Sequence, residues 1–175
     1  MAVIHKATIS PTKGEVLERI LGAPVTVRGA YRFDDPDGEV GVEGFILTVG
    51  GATRHAVLTY RGTPLDGAEE HLACTMEHSV LGTRWVYDGL GDPVARGCFG
   101  RALRGQQSQA EEEVWDGAEH LDTREPTVRI ATVAGQPAPA GAVPVIVTEL
   151  AEQDTAGARL TATWDGGTAV IATLS

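Results

Sequence analysis

Lysine is nearly missing from this 175-residue chain, in which Lys6 and Lys13 are the only two among 14 basic residues. A lysine commonly pairs the nucleotide phosphates in phosphoryl-transfer enzymes, and none follows Lys13. Positive charge is scarce as a whole, because the formal net charge is −10. A surface of this charge repels phosphate backbones and anionic lipid heads, so we expect neither nucleic acid nor a membrane as a partner.

Cysteine and long apolar runs are also scarce. Cys74 and Cys98 form neither a C-x-x-C pair nor part of a zinc-finger pattern, which favours two buried thiols. No apolar run approaches the roughly 18 residues of a membrane span. The first 15 residues contain no apolar core of a signal peptide, so a cytoplasmic protein is expected.

Hydrophobic periodicity and turn residues predict an α+β chain. Helical spacing of apolar residues predicts short helices over 11–21 and 93–104, the first capped by Ser10. Alternating segments with glycine- or proline-containing turns between them predict strands. The strands lie at 2–9, 26–33, 39–49, 53–61, 74–80 and 83–88, with further strands in the C-terminal third.

Composition divides the chain into three parts. Residues 1–105 are expected to form antiparallel strands around one or two helices. Residues 106–126 are polar and acidic and predict a solvated, partly helical linker. Residues 127–175 predict a small antiparallel β unit, either separate or packed on the first part as one domain. A parallel α/β fold is not expected, because regular strand–helix alternation is missing.

The turn "DGLGDP" (88–93) has two of the glycines of a phosphate-binding loop. However, Val94 occupies the place of the third glycine, and carboxylates flank the turn on both sides. The sequence therefore favours a structural corner in which Asp92 caps the following helix and Pro93 is its first residue.

Two aromatic side chains stand out on one predicted strand. Trp85 and Tyr87 are two residues apart, so they should share a face, with Val86 on the other. Core packing, an interface anchor and a contact to a ligand such as a sugar are the three open alternatives.

Histidines and acids on neighbouring strands give a second set of candidates. They leave open a small enzyme or ligand-binding protein with a site in the concavity of the sheet. That site could be built from His55, His78, Glu77 and Tyr60, and Glu43 could approach the same place. Hydrogen-bonded or solvated histidines without such a role are the alternative. No local zinc pattern or cofactor motif is present, so no metal site, catalytic residue or cofactor is predicted.

One short segment is similar to a kinase catalytic loop. "HLDTREPT" (120–127) contains H-x-D, but Thr127 stands where a metal-holding asparagine is needed. A metal-binding Asp motif and a phosphate-pairing lysine are missing as well. The sequence therefore predicts no kinase machinery of its own.

Several stretches together resemble the N-terminal cap domain of bacterial maltokinases, in the form of the stand-alone cap-like proteins of actinobacteria. The resemblance covers about residues 1–105, and its most distinctive piece is "WVYDGLGDP" (85–93). The segments that carry it are "AVIHKATISPTK" (2–13), "FDDPDGEVGVE" (33–43) and "VLTYRGTPLDGAEEHLACTMEHSVLGTRWVYDGLGDPV" (57–94).

The resemblance implies a cystatin-like fold, which is a curved antiparallel sheet packed on a helix. In maltokinases the cap precedes a kinase body that phosphorylates maltose with ATP on the route from trehalose to glycogen. An accessory or regulatory module follows as the expected function, with a kinase, another glucan-metabolism enzyme or a carbohydrate as partner. The C-terminal strands either correspond to the first strands of a kinase lobe, with Thr173 near the lysine position, or are unrelated to it.

Overall fold

The computed structural model describes residues 7–136, 139, 141–151 and 157–175, together with the backbone of residues 2–5. Short 3-10 turns lie at Glu69–His71 and Gly89–Gly91. The helices and strands are β1 (Ala2–His5), β2 (Ile9–Ser10), α1 (Lys13–Leu21), β3 (Thr26–Phe33), β4 (Gly41–Val49), β5 (Ala52–Arg61), β6 (Leu72–His78), β7 (Gly82–Asp88), α2 (Pro93–Leu103), β8 (Glu112–Asp116), β9 (Glu119–Arg124), β10 (Val128–Val133), β11 (Pro144–Ile146), β12 (Arg159–Trp164) and β13 (Gly167–Leu174).

A strongly curled six-stranded antiparallel sheet forms the larger part of the molecule, with strand order β2-β6-β7-β5-β4-β3. Its three longest strands form the predicted meander, in which the loop 34–40 and the tight turn at Gly50-Gly51 join alternating segments. A four-stranded antiparallel sheet of order β10-β12-β13-β11 follows. The predicted α+β architecture, a curved sheet packed on a helix and then a small β unit, is confirmed.

Helix α1 covers one face of the six-stranded sheet. Val16 and Leu17 are fully buried against it, and they pack on apolar side chains of β4 to β7. The predicted cap at Ser10 was wrong, because Ser10 lies in β2 and the helix begins at Lys13. Thr12 and Glu15 form a reciprocal capping box, which fixes the start of the helix two residues later than expected.

Helix α2 covers the other face and joins the two sheets. Phe99 and Ala102 lie in one core that also contains Tyr31 of β3 and Leu160 of β12. The four-stranded sheet is therefore packed on the first part of the chain across α2, with a continuous core between them.

A buried histidine links this core to the C-terminal part of the chain through a hydrogen bond. His55 is 1% exposed, and its Nδ1–H donates to the carbonyl of Val147 at 2.8 Å. Its Nε2 accepts from the hydroxyl of Tyr31 at 2.8 Å. Burial lowers the pKa of His55 to about 4, although the bond to Val147 acts in the opposite direction.

Residues 106–126 form a hairpin and contain no helix, so the helical part of the linker prediction was wrong. Strand β8 pairs with β9 and also with β1, in a three-stranded sheet of order β1-β8-β9. The two-residue turn between the strands consists of Gly117 and Ala118, and Gly117 has a φ of 59°. Glycine adopts this backbone conformation without strain, which stabilises the reversal.

The corner at 88–93 has the structural role predicted from its sequence. Asp92 caps α2 by accepting from the N–H of Val94, and Pro93 is the first helical residue. A Cβ atom on Gly91 would collide with the ring of His71, and one on Gly89 would meet Val57. These glycines therefore permit close packing of the turn.

Among the described residues, no helix is long and apolar enough to cross a membrane. Both cysteines are free thiols; Cys98 is buried and Cys74 is half-buried.

Candidate functional site

An open cleft of about 940 Å³ lies at the end of the six-stranded sheet where α1 begins. Strand β2, the loop 34–40 and the hairpin β8–β9 form its other walls. Polar and charged side chains line it together with apolar ones, which is the usual composition of a small-molecule site. The charged side chains and the histidine among its lining residues are Lys13, Arg32, Asp34, Asp35, Glu39, His78, Arg84 and Arg124.

Three side chains that line the cleft, those of Lys13, Arg32 and Tyr60, form its floor together with one buried carboxylate next to them, that of Glu43. Glu43 is 5% exposed and accepts from Lys13 Nζ at 2.8 Å and from Arg32 Nη2 at 3.2 Å. The hydroxyl of Tyr60 donates to the same carboxylate at 2.9 Å. Three elements, α1, β3 and β5, are therefore fixed to one buried charge on β4.

The local fold explains why these groups meet. Arg32 and Glu43 are directly opposite each other in the β3–β4 pair, so their side chains share a face. Tyr60 lies on the neighbouring strand, opposite Gly41. A Cβ at Gly41 would lie 3.4 Å from the Tyr60 ring, which is ordinary van der Waals contact, so the glycine lies directly against this ring.

The floor groups change one another's pKa. Burial raises the pKa of Glu43, but the charges of Arg32 and Lys13 outweigh burial, so the pKa lies below its usual value. Burial, and then the charge of Glu43, raises the pKa of Tyr60 well above its usual value. The floor therefore contains an ionised carboxylate and a neutral phenol at neutral pH.

A second buried carboxylate lies beside this floor. Glu112, the first residue of β8, is 7% exposed. Burial and the nearby charge of Glu43 raise its pKa, while Arg32 and Arg124 lower it, and the net shift is upward. The hairpin β8–β9 therefore adds Arg124 to the cleft lining and buries Glu112 next to the floor.

The loop 34–40 forms the acidic wall. The carboxylate of Asp35 accepts from the backbone N–H groups of Asp37, Glu39 and Val40, at 3.0 to 3.2 Å. These bonds hold the loop in a fixed turn, so Asp35 has a structural role within the wall.

The structure does not assemble the four-residue site predicted from sequence. Tyr60 and His78 line the cleft, but His55 lies on the opposite face of the sheet, inside the α2 core. Glu77 neighbours His78 on β6, so the two side chains alternate in direction, and Glu77 accepts from the hydroxyl of Thr83.

Trp85 and Tyr87 also lie outside the cleft. Val86 packs in the α1 core, so the alternation of β7 places both aromatic rings on the other face. Tyr87 is 2% exposed and its hydroxyl accepts from the N–H of Leu65 at 2.8 Å, whereas Trp85 is half-buried. For Tyr87 this is the core-packing alternative.

Sequence reasoning missed the cations of the cleft. Arg32 and Glu43 are equidistant from the centre of the β3–β4 turn, so their pairing could have been found from the sequence. Lys13, Arg84 and Arg124 reach the cleft from distant elements, and no local pattern indicates that. The part of the chain that the structure describes contains no group of three histidine, cysteine or acidic residues able to hold a metal ion.

Comparison with known protein families finds a match for one segment of the chain. Residues 11–92 match the family model of the maltokinase N-terminal cap domain, which is slightly less than half of the chain. No curated protein and no solved structure matches. The matched segment runs from the start of α1 to Asp92 and includes the whole cleft floor, whereas β8 and β9 lie outside it. The resemblance proposed from the sequence is confirmed for this segment.

Proposed function

We propose that this chain, whose residues 11–92 match the maltokinase N-terminal cap domain, is a non-catalytic cap-like module of α-glucan, maltose or trehalose metabolism. It acts in the cytoplasm as an accessory or regulatory protein, by binding a kinase or another glucan-metabolising enzyme. The family match is the observation that carries this proposal, because the matched domain is by its name the N-terminal part of a kinase.

The chemistry of the chain supports binding over catalysis. Within this sequence, the H-x-D segment has Thr127 at the metal-holding position, and no lysine follows Lys13. The buried carboxylate of Glu43 is occupied by three donors from its own fold. A carboxylate held in this way is a poor general base, because hydrogen bonds occupy its lone pairs and because its lowered pKa disfavours proton uptake.

Affinity capture from an extract of the native host, followed by titration with the purified candidate enzyme, tests the proposal. We expect a glucan- or trehalose-metabolising enzyme among the captured proteins, and saturable binding when the two purified proteins are mixed. An unrelated acidic protein of similar net charge is the matched control, because it reports non-specific electrostatic capture. Capture of no such enzyme, or capture that the control reproduces, would contradict the proposal.

A further inference from the structure

We propose that the hairpin β8–β9 is a pH-sensitive flap over the cleft at the start of α1, closed while Glu112 is protonated and loosened when Glu112 ionises. The flap controls access to the cleft, because Val114 and Arg124 of the hairpin belong to the cleft wall. This device is a property of the fold and does not depend on the proposed function.

The hairpin is attached to the rest of the molecule at its base. The N–H of Ala110, just before β8, donates to the carbonyl of Arg32 at 2.8 Å. The hydroxyl of Thr127, just after β9, accepts from the N–H of Ala30 at 2.9 Å. Both contacts are made to β3, which is an edge strand of the six-stranded sheet. The segment between the two contacts therefore projects from one edge of that sheet.

Above this base, little holds the hairpin against the six-stranded sheet. Strand β8 pairs with β9 and β1, and within the described residues neither hairpin strand pairs with a strand of the larger sheet. Every residue of β9 is exposed, and β8 and β9 have few contacts with any element other than β1. A segment with few buried contacts opens locally at a lower free energy than the core does. The three-stranded sheet can therefore move while the six-stranded sheet stays intact.

The side chain of Glu112 is the buried contact between the hairpin and the cleft floor. It shares one face of the hairpin with Val114 and with Arg124, which is directly opposite it in the β8–β9 pair. Glu112 is only 7% exposed. Across the described part of the chain, no hydrogen bond or ion pair reaches its carboxyl group, and the nearby guanidinium of Arg32 donates to Glu43 instead. Closure of the flap therefore buries a carboxyl group without a partner.

This burial disfavours the ionised form of the carboxyl group. A carboxylate loses more hydration on burial than the protonated acid does, and here no hydrogen bond compensates for the loss. Burial, and then the like charge of Glu43, raises the pKa of Glu112, and the nearby cations do not cancel this shift. The charged groups that act on Glu112 come from four elements: Lys13 of α1, Arg32 of β3, Glu43 of β4 and Arg124 of β9.

Ionisation of Glu112 loosens the flap because the closed state holds the proton more tightly than the open state. The pKa of Glu112 is raised above its usual value in the closed flap, so closure is strongest below that usual value. Closure weakens as the pH rises through the pKa of the closed state. Glu43 does not reverse the effect, because its pKa is lowered and it stays ionised throughout this range.

Hydrogen exchange of the full chain, followed by mass spectrometry from about pH 5 to about pH 8, tests the proposal. After correction for the chemical exchange rate, protection of residues 111–126 should fall by at least about threefold as the pH rises, while β4 and β5 lose none. Glu112→Gln should keep the low-pH protection throughout, because an amide does not ionise. Glu113→Gln is the matched control and should behave as the wild type, because Glu113 lies on the other face and accepts from the indole N–H of Trp115 at 3.1 Å.

NMR of the wild type with a neutral gadolinium chelate in solution measures access to the cleft and needs no variant. The methyl groups of Ile9 and Val114 belong to the cleft lining, so their signals should broaden more at the upper end of the pH range than at the lower end. Hairpin protection that is constant or rises with pH, or equal broadening at both ends, would overturn the inference. A pH effect that persists in Glu112→Gln or disappears in Glu113→Gln would overturn it as well.

Discussion

Replacing Asp92 by alanine is expected to destabilise the fold far more than the loss of an ordinary helix cap. The side chain of Asp92 is 0% exposed. Its Oδ1 accepts from Val94 N at 2.9 Å and from Arg61 Nη2 at 2.7 Å. Its Oδ2 accepts from Thr59 Oγ1 at 2.7 Å and from Arg61 Nε at 2.8 Å. The carboxylate therefore fastens the start of α2 to strand β5.

The magnitude follows from the two roles of this carboxylate. Loss of the cap alone costs about 0.5–2 kcal/mol. Asp92→Ala also leaves Arg61, whose side chain is 15% exposed, without its bidentate partner. Breaking a buried pair in this way costs about 3–5 kcal/mol. Because the two contributions overlap, we expect a total loss of about 3–5 kcal/mol in the free energy of unfolding.

Urea unfolding followed by circular dichroism measures this loss, with linear extrapolation to water. Asp92→Asn keeps the shape and the cap, so it should lose less stability than Asp92→Ala. It should still be less stable than the wild type, because bonds to a neutral amide are weaker by about 1–2 kcal/mol than bonds to a charge. Asp88→Ala is the matched control, since Asp88 is outside this ion pair and caps the 3-10 turn through Leu90 N. A loss for Asp92→Ala no larger than that for Asp88→Ala would show that the ion pair with Arg61 adds nothing to the helix cap.

The same carboxylate sets a dependence on pH. Burial raises the pKa of Asp92, but the hydrogen bonds from Arg61 and Thr59 outweigh it, and the pKa lies below its usual value. A carboxyl group whose pKa is lowered by folding stabilises the native state above its unfolded pKa of about 3.9. That stability is lost as the pH falls through the folded pKa, so wild type and Asp92→Asn should converge in strong acid.

Two further predictions concern the core. The pKa of His55 falls from 6.5 to about 4 on folding, so the unfolded chain takes up the proton first. About 3 kcal/mol of stability should therefore disappear between pH 6.5 and 4, and His55→Gln should flatten this part of the stability–pH curve measured by urea unfolding. Gly44→Ala would collide with the buried ring of Tyr31 and should cost about 1–3 kcal/mol. By contrast, Gly14→Ala in α1 meets no atom within 4 Å and should stabilise the protein by up to about 1 kcal/mol; equal effects of the two substitutions in thermal melts would refute the packing argument.

Local patterns predicted the sheet and α2 well. Strand β3 was predicted at 26–33 and lies at Thr26–Phe33, because alternation and the turn at Asp37-Gly38 are both encoded locally. Asp92 and Gly105 define the ends of α2 in the same way. The start of α1 was missed because the capping box at Thr12 outweighed the Ser10-Pro11 pattern.

The hairpin β8–β9 was missed for a different reason. Its strands are acidic and polar, and every residue of β9 is exposed, so no apolar alternation indicates them. Gly117, the first residue of the two-residue turn, is the local signal of a hairpin within the acidic segment. Pairing of β8 with β1 spans more than a hundred residues, and such non-local contacts leave no local pattern.

The candidate site was predicted only in part for the same physical reason. Tyr60 and His78 both line the cleft, whereas His55 has the opposite orientation because it is five residues from Tyr60 on the same strand. Side chains alternate between the two faces of a strand, so the sequence alone was sufficient to place His55 and Tyr60 on opposite faces. The approach of Lys13 and Arg84 depends on how α1 and β7 pack, and packing is decided by the whole fold.

The proposed function requires that this chain bind a glucan-metabolising enzyme as a non-catalytic module. Titration of the purified chain into the purified enzyme recovered from its host, with the enzyme's activity recorded at each step, tests it most directly. We expect saturable binding and a change in activity that reaches a plateau at the same ratio of the two proteins. Binding that is not saturable, or activity that is unchanged at full binding, would contradict it.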